Sequence, residues 1–155
     1  MDEDSRLTSY CGLYCKDCIP SQKDLYSTAA RLQQLLEQVQ FEKYAQLKAG
    51  QTYWSASNEV FKHYPVFTEV LQAIRGLECK SLCRDGGGWK GDRCQVRNCA
   101  IEKKLTGCWE CSGYKSCKLI GPLLKFHPNL EHHLELLKSE GINNWSSKRK
   151  GHYPW

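Results

Sequence analysis

The chain has 155 residues, 22 Lys and Arg against 17 Asp and Glu for a formal net charge of +5, and ten Cys. That length fits one compact domain, which can bury roughly 68–70% of its unfolded surface and does not need disulfide staples to fold. Cysteine at about 6% exceeds ordinary cytosolic usage and falls short of the 8–10% of a disulfide mini-scaffold, so that class is excluded and other chemistry must explain the thiols.

The opening residues, Met1-Asp2-Glu3-Asp4-Ser5-Arg6, are acidic where a secretory signal is basic and then apolar, and no apolar run approaches the ~18 residues of a membrane span. The expectation is a cytoplasmic protein without a membrane partner. In a reducing compartment, closely spaced cysteines serve as metal ligands or redox thiols rather than as disulfides.

In chain order, a cysteine knuckle at 11–18 comes first, Cys11-Gly12-Leu13-Tyr14-Cys15-Lys16-Asp17-Cys18. A cysteine-free helical part follows at 21–77. Leu25, Ala29, Leu32, Leu36 and Val39 recur at steps of four and three, which predicts a helix starting near Pro20-Ser21 with these residues in the core. Phe67, Val70, Leu71, Ile74 and Leu77 repeat the pattern. Pro65 suits the first turn of that second helix, where its missing N–H is unpaired anyway, and Gly50 suits a loop between the two.

The cysteine-rich zone, 79–117, holds seven of the ten cysteines together with Gly86-Gly87-Gly88 and keeps no sustained period. The triple glycine lacks a following G-K-[ST] and reads as a flexible loop tip. The last zone, 128–155, predicts a helix from Pro128 to Glu140 with Leu130, Leu134 and Leu137 inward and Gly141 as its C-terminal cap. An aromatic and basic tail, Trp145 to Trp155, should dock through Trp145, Tyr153 and Trp155 while Lys148, Arg149 and Lys150 stay solvated. The expected fold class is mainly α, a small single domain over 1–155 with irregular cysteine-rich, metal-held loops.

Four cysteine clusters carry the chemistry: Cys11, Cys15 and Cys18 as C-x3-C-x2-C; Cys79 and Cys83 as C-x3-C; Cys94 and Cys99 as C-x4-C; and Cys108, Cys111 and Cys117 as C-x2-C-x5-C. Thiolates two to four residues apart can turn toward one ion, and zinc takes four of them tetrahedrally at about 2.3 Å. Binding of this kind orders loops, at roughly 10–16 kcal/mol in zinc-finger peptides. All ten cysteines are therefore candidate metal ligands. Ten thiols make two four-cysteine zinc sites with two left over, and their pairing is not readable from spacing. The knuckle supplies only three, so a cysteine from 79–117 should complete its site.

An iron-sulfur cluster is the rival occupant, because C-x3-C-x2-C also suits four irons. A radical S-adenosylmethionine enzyme would need a barrel that this chain has no strand-helix alternation to build. A thioredoxin-like redox role would need a βαβ unit, which is equally missing from the pattern. None of His63, His127, His132, His133 and His152 has a ligand spacing to a cysteine pair; one of His132 and His133 should pack inward, and His152 is a weak option for closing a partly open site. Residues 79–126 carry a net +6. Beside Trp89, Trp109 and Tyr114, such loops could track phosphates and stack bases, but the lysines and arginines more simply offset the negative charge of metal-bound thiolates.

The runs Cys11-Gly12-Leu13-Tyr14-Cys15-Lys16-Asp17-Cys18-Ile19-Pro20, Cys94-Gln95-Val96-Arg97-Asn98-Cys99-Ala100, Gly107-Cys108-Trp109-Glu110-Cys111 and Cys117-Lys118-Leu119 resemble an uncharacterised family of small cysteine-rich bacterial and archaeal proteins with a C-G-L-x-C-x-x-C opening. The resemblance covers roughly residues 11–119 and implies zinc binding without an attached activity. The chain departs from the family at Cys79-Lys80-Ser81-Leu82-Cys83, where a two-residue gap is more usual, and in the glycine-rich insertion before Cys94.

The function expected is zinc binding, through two ions in closed structural sites, in a binding or scaffold module of unknown partner. The alternatives are an iron-sulfur electron-transfer or sensing protein and a nucleic-acid-binding zinc protein. Closed four-cysteine sites leave no coordination position for a catalytic water. No Ser-His-Asp order, H-E-x-x-H or phosphate loop supplies another active site.

Overall fold

The computed structural model describes residues 3–51, 56–88 and 93–153, which leaves Trp89, Lys90, Asp92 and Trp155 outside the described residues. The protein is mainly α, with no strand among the described residues; an isolated antiparallel bridge joins Thr8 and Tyr14. Its α-helices are α1 (Glu3–Leu7), α2 (Lys23–Gln38), α3 (Phe41–Ala49), α4 (Tyr64–Gly76), α5 (Gln95–Glu102), α6 (Gly121–Phe126) and α7 (Leu130–Glu140), joined by short 3-10 turns. No helix among the described residues is long and apolar enough to cross a membrane. The chain packs as two compact units, Met1–Ser21 with Cys79–Trp155, and Gln22–Glu78.

The second unit is helical as its periodicity predicts, and each stripe buries one member, Ala29 and Leu71, while most of the others are exposed. Tyr26 and Ala29 are the buried residues of α2, whereas Leu25, Leu32 and Val39 are exposed, Val39 at 67%. In α4 only Leu71 is fully buried, and Phe67, Val70 and Leu77 stand out of the core. An additional helix, α3, which the sequence pattern did not reveal, packs against both α2 and α4. Phe41 makes aromatic contacts with Tyr64 (ring centroids 5.3 Å apart) and Phe61 (6.1 Å). Gln40, in the left-handed region at φ 53°, makes the corner between α2 and α3. Gly50 caps the end of α3, and Pro65 occupies the first turn of α4.

The first unit holds the main core: Tyr14, Trp109, Tyr114, Ile120, Leu130, Leu134, Leu137 and Trp145. Helix α7 buries Leu130, Leu134 and Leu137 as its period predicts, and His133 joins them. It starts at Leu130, two residues after Pro128, and ends where Gly141, at φ 79°, donates its N–H to the Leu137 carbonyl at 3.1 Å. Gly12, at φ +89°, lies so close to α7 that a Cβ there would stand 2.9 Å from Leu134 Cδ2.

The tail docks as expected through Trp145, which is fully buried, meets the Tyr14 ring edge-on at 5.7 Å and donates Nε1–H to Thr8 Oγ1 at 2.9 Å. Burying an indole of roughly 200 Å² contributes at most about 5 kcal/mol. One expectation for the tail fails. Lys148 and Lys150 are exposed, but Arg149 is half-buried: it forks onto Asp17 with Nε to Oδ2 at 2.8 Å and Nη2 to Oδ1 at 2.7 Å, and its guanidinium lies 4.4 Å from the Tyr14 ring centroid. A planar cation between a carboxylate and an aromatic face gains from both, which outweighs leaving it in water.

Candidate metal centre

All ten cysteines lie in the first unit, as free thiols of intermediate burial. The knuckle opens with a turn in which Ser9 and Leu13 exchange backbone and side-chain hydrogen bonds, Ser9 N–H to the Leu13 carbonyl at 2.8 Å and Leu13 N–H to Ser9 Oγ at 3.0 Å. This turn holds Ser9 Oγ 3.1 Å from Cys11 Sγ. Tyr10, next in the chain, accepts the Cys108 N–H at 2.8 Å, so the distant C-x2-C segment is fastened beside Cys11.

Both C-x2-C segments adopt one conformation. The Cys18 N–H bonds the Cys15 carbonyl at 3.1 Å, and the Cys111 N–H bonds the Cys108 carbonyl at 3.1 Å. Cys18 and Cys111 leave their 3-10 turns at φ −82° and −80°, each with ψ 121°. A third turn of the same shape, Tyr114–Ser116, delivers Cys117 at φ −74° and ψ 121°. Cys11, Cys108, Cys111 and Cys117 all pack against the core cluster that includes Tyr14, Trp109, Tyr114, the α7 leucines and Trp145.

Cys15 and Cys18 join another group. Cys79 donates its N–H to the Pro20 carbonyl at 2.7 Å, next to Cys18. Cys83 begins a 3-10 turn followed by the glycines, which form a built corner rather than a flexible tip. Gly87 and Gly88 donate to the carbonyls of Leu82 (2.9 Å) and Ser81 (2.8 Å), Gly86 is left-handed at φ 83°, and a Cβ on Gly87 would overlap Ser81. Glycine is required because the backbone folds back on itself. Cys94 caps α5, where Asn98 N–H reaches its carbonyl at 3.0 Å, and Cys99 lies within that helix.

The electrostatics of the thiols run across these groups. Burial pushes the Cys15 thiol up to about 12, with Cys18, Cys83 and Cys79 adding to it. Burial pushes Cys108 up to about 12, reinforced by Cys11, Cys117, Cys111 and Cys99. Cys11 is raised to about 11 by burial, with Cys83 and Cys94 as its charged neighbours. Cys83 is raised by burial and by Cys94, while Arg97 and Arg84 pull it down. Cys15 and Cys18 thus neighbour Cys79, while Cys11 has thiol neighbours in three other clusters, Cys83, Cys94 and Cys108.

The thiols are grouped but not converged, since among the described residues no three His, Cys, Asp or Glu side chains are gathered tightly enough to hold an ion as they stand. The histidines belong to the core instead. His152 Nε2 accepts the Tyr14 N–H at 3.0 Å, and His133 Nε2 lies 2.6 Å from the Lys150 carbonyl. Trp109 and Tyr114 are 5% and 6% exposed, so neither offers the open ring face that base stacking requires.

Two cations escaped the sequence reading as individuals. Arg84 donates Nε–H to the Thr8 carbonyl at 2.8 Å and stacks on Tyr10 with its guanidinium 4.0 Å from the ring centroid. Arg97 is 4% exposed and donates to the Gly87 carbonyl. The signal available was position: Arg84 follows Cys83, and Arg97 falls between Cys94 and Cys99.

Residues 7–122 match the family described as Protein of unknown function (DUF3795). The chain belongs to that family. The matched span contains every cysteine, while α7 and the tail, which complete the core, follow it. No curated protein and no solved structure matches the chain.

Proposed function

We propose that the cysteine-rich unit is a zinc-binding module whose four-thiolate sites are structural, and that the protein serves as a binding or scaffold component in the reducing cytoplasm. The observation that carries this reading is the fastening of three cysteine segments by backbone hydrogen bonds, Cys108 to Tyr10 and Cys79 to Pro20, which holds segments far apart in sequence side by side. Two like C-x2-C turns fit the same reading, because a tight turn can direct both of its thiols at one ion. So does the basic charge of 79–126, which would offset the excess negative charge of zinc tetrathiolates.

The test is metal analysis of protein purified without oxygen, together with its visible spectrum. Zinc gives a colourless protein, and a strong chelator under reducing conditions should unfold the first unit while α2 to α4 keep helical circular dichroism. Visible thiolate-to-iron absorption would transfer the site to an iron-sulfur cluster. Undiminished stability after the metal is removed would overturn a structural role.

A further inference from the structure

The unit Gln22–Glu78 carries two apolar stripes that nothing in it covers. Leu25, Leu32 and Val39 on α2 and Phe67, Val70 and Leu77 on α4 recur at the spacing of core residues, yet they stand between 41% and 67% exposed. Both stripes lie on one side of the helix pair. Lys23, at the start of α2, bonds Glu78 beyond the end of α4 at 3.2 Å, while Glu37 and Gln40 share a cleft with Tyr64 and Pro65 at the start of α4, so the two helices run antiparallel. The stripe residues precede residues that line this cleft by one position: Leu32 before Gln33, Phe67 before Thr68, Val70 before Leu71. One position is a rotation of about 100°. Equal rotation on antiparallel helices carries both stripes to the same side, away from α3, whose Phe41 and Glu42 line the cleft.

We propose that this face docks a second copy of the chain, so that α2 and α4 of two protomers close an antiparallel four-helix bundle. Area is the first reason. The six side chains expose roughly 550 Å² of surface, near the largest apolar patch of a typical monomer, and with their polar rim approach the ~800 Å² that each partner buries in a stable interface.

The second reason is that the rim is complementary to itself. Arg31 lies on the outer edge of α2 and Glu69 on the outer edge of α4; both are exposed, and neither forms an ion pair among the described residues. Counted from the Lys23–Glu78 pair, equal rise along antiparallel helices sets Arg31 level with Val70, one residue from Glu69. A two-fold axis parallel to the helices lays α2 of one protomer over α4 of the other and brings Arg31 of each beside Glu69 of its partner. Such a contact uses the same patch on both protomers, so it closes at a dimer.

Light scattering coupled to size-exclusion chromatography, on the full chain at high concentration under reducing conditions, tests this. A dimer is expected. Val70→Glu puts a charge in the centre of the face and should give a monomer with unchanged helical circular dichroism. Arg31→Glu creates two like-charged pairs and should weaken the dimer several-fold in sedimentation equilibrium, and adding Glu69→Arg should restore it. A monomeric unaltered chain overturns the proposal, also where a different protein proves to occupy the face. A dimer that Val70→Glu leaves intact overturns it as well, and a double exchange that restores nothing overturns the two-fold arrangement. Because the oligomeric state is read on the unaltered chain, a variant that fails to fold does not shield the inference.

Discussion

Acidification should unlock the tail through His152. This ring is 2% exposed, its Nε2 accepts the Tyr14 N–H at 3.0 Å, and its carbonyl lies 3.1 Å from His127 Nδ1. Burial holds its pKa down at about 4, with His127, His133 and Arg149 pushing the same way and Asp17 opposing. In the unfolded chain the ring has its ordinary value near 6.5. Between these values the unfolded state binds more protons, so the contribution is complete above pH 6.5 and is lost as pH falls to about 4. A shift of ~2.5 units at 1.36 kcal/mol each gives about 3 kcal/mol, a large part of the 5–15 kcal/mol that stabilises a typical domain. His152→Gln keeps an acceptor for Tyr14 and cannot take up the proton. Urea unfolding at pH 7 and pH 4, followed by near-ultraviolet circular dichroism, should show the unaltered chain losing about 3 kcal/mol more than the Gln variant. Equal losses would refute the assignment of a buried neutral imidazole.

Trp145→Ala should destabilise the first unit by about 3–5 kcal/mol in denaturant unfolding, since it removes a fully buried indole and leaves Thr8 Oγ1 without its donor. Gly12→Ala should cost upwards of about 1 kcal/mol from the left-handed backbone alone, with more from the displaced Leu134, and should lower the thermal midpoint. Asp17→Asn should cost about 1–3 kcal/mol, because the half-buried Arg149 loses its carboxylate, while Lys148→Gln, at an exposed ion pair, should change little.

Local regularities were legible in the sequence because they need only neighbours along the chain. The stripe Leu130, Leu134, Leu137 with Gly141 after it specifies α7 through helical period and cap geometry, and these residues behave as that pattern requires. Three large aromatics in a short tail signal docking because exposed rings are costly, and Trp145 is buried accordingly. Close cysteine spacing likewise marks which residues share a turn.

What a residue faces across the fold was decided by tertiary structure alone. The stripes of α2 and α4 predicted helices correctly, and each buries one of its members, Ala29 and Leu71, but the exposure of Leu25, Leu32, Phe67 and Val70 and the presence of α3 were not readable from the pattern. Arg149 sat in a run of cations that reads as solvated, and only the meeting of Asp17 and Tyr14 made its burial favourable. The knuckle looks like one three-thiol unit in sequence. Hydrogen bonds from Cys108 to Tyr10 and from Cys79 to Pro20, spanning 98 and 59 positions, hold two distant cysteine segments at its two ends. Spacing fixes which thiols can share a turn, but partners that far apart in the chain are chosen by how the whole unit packs.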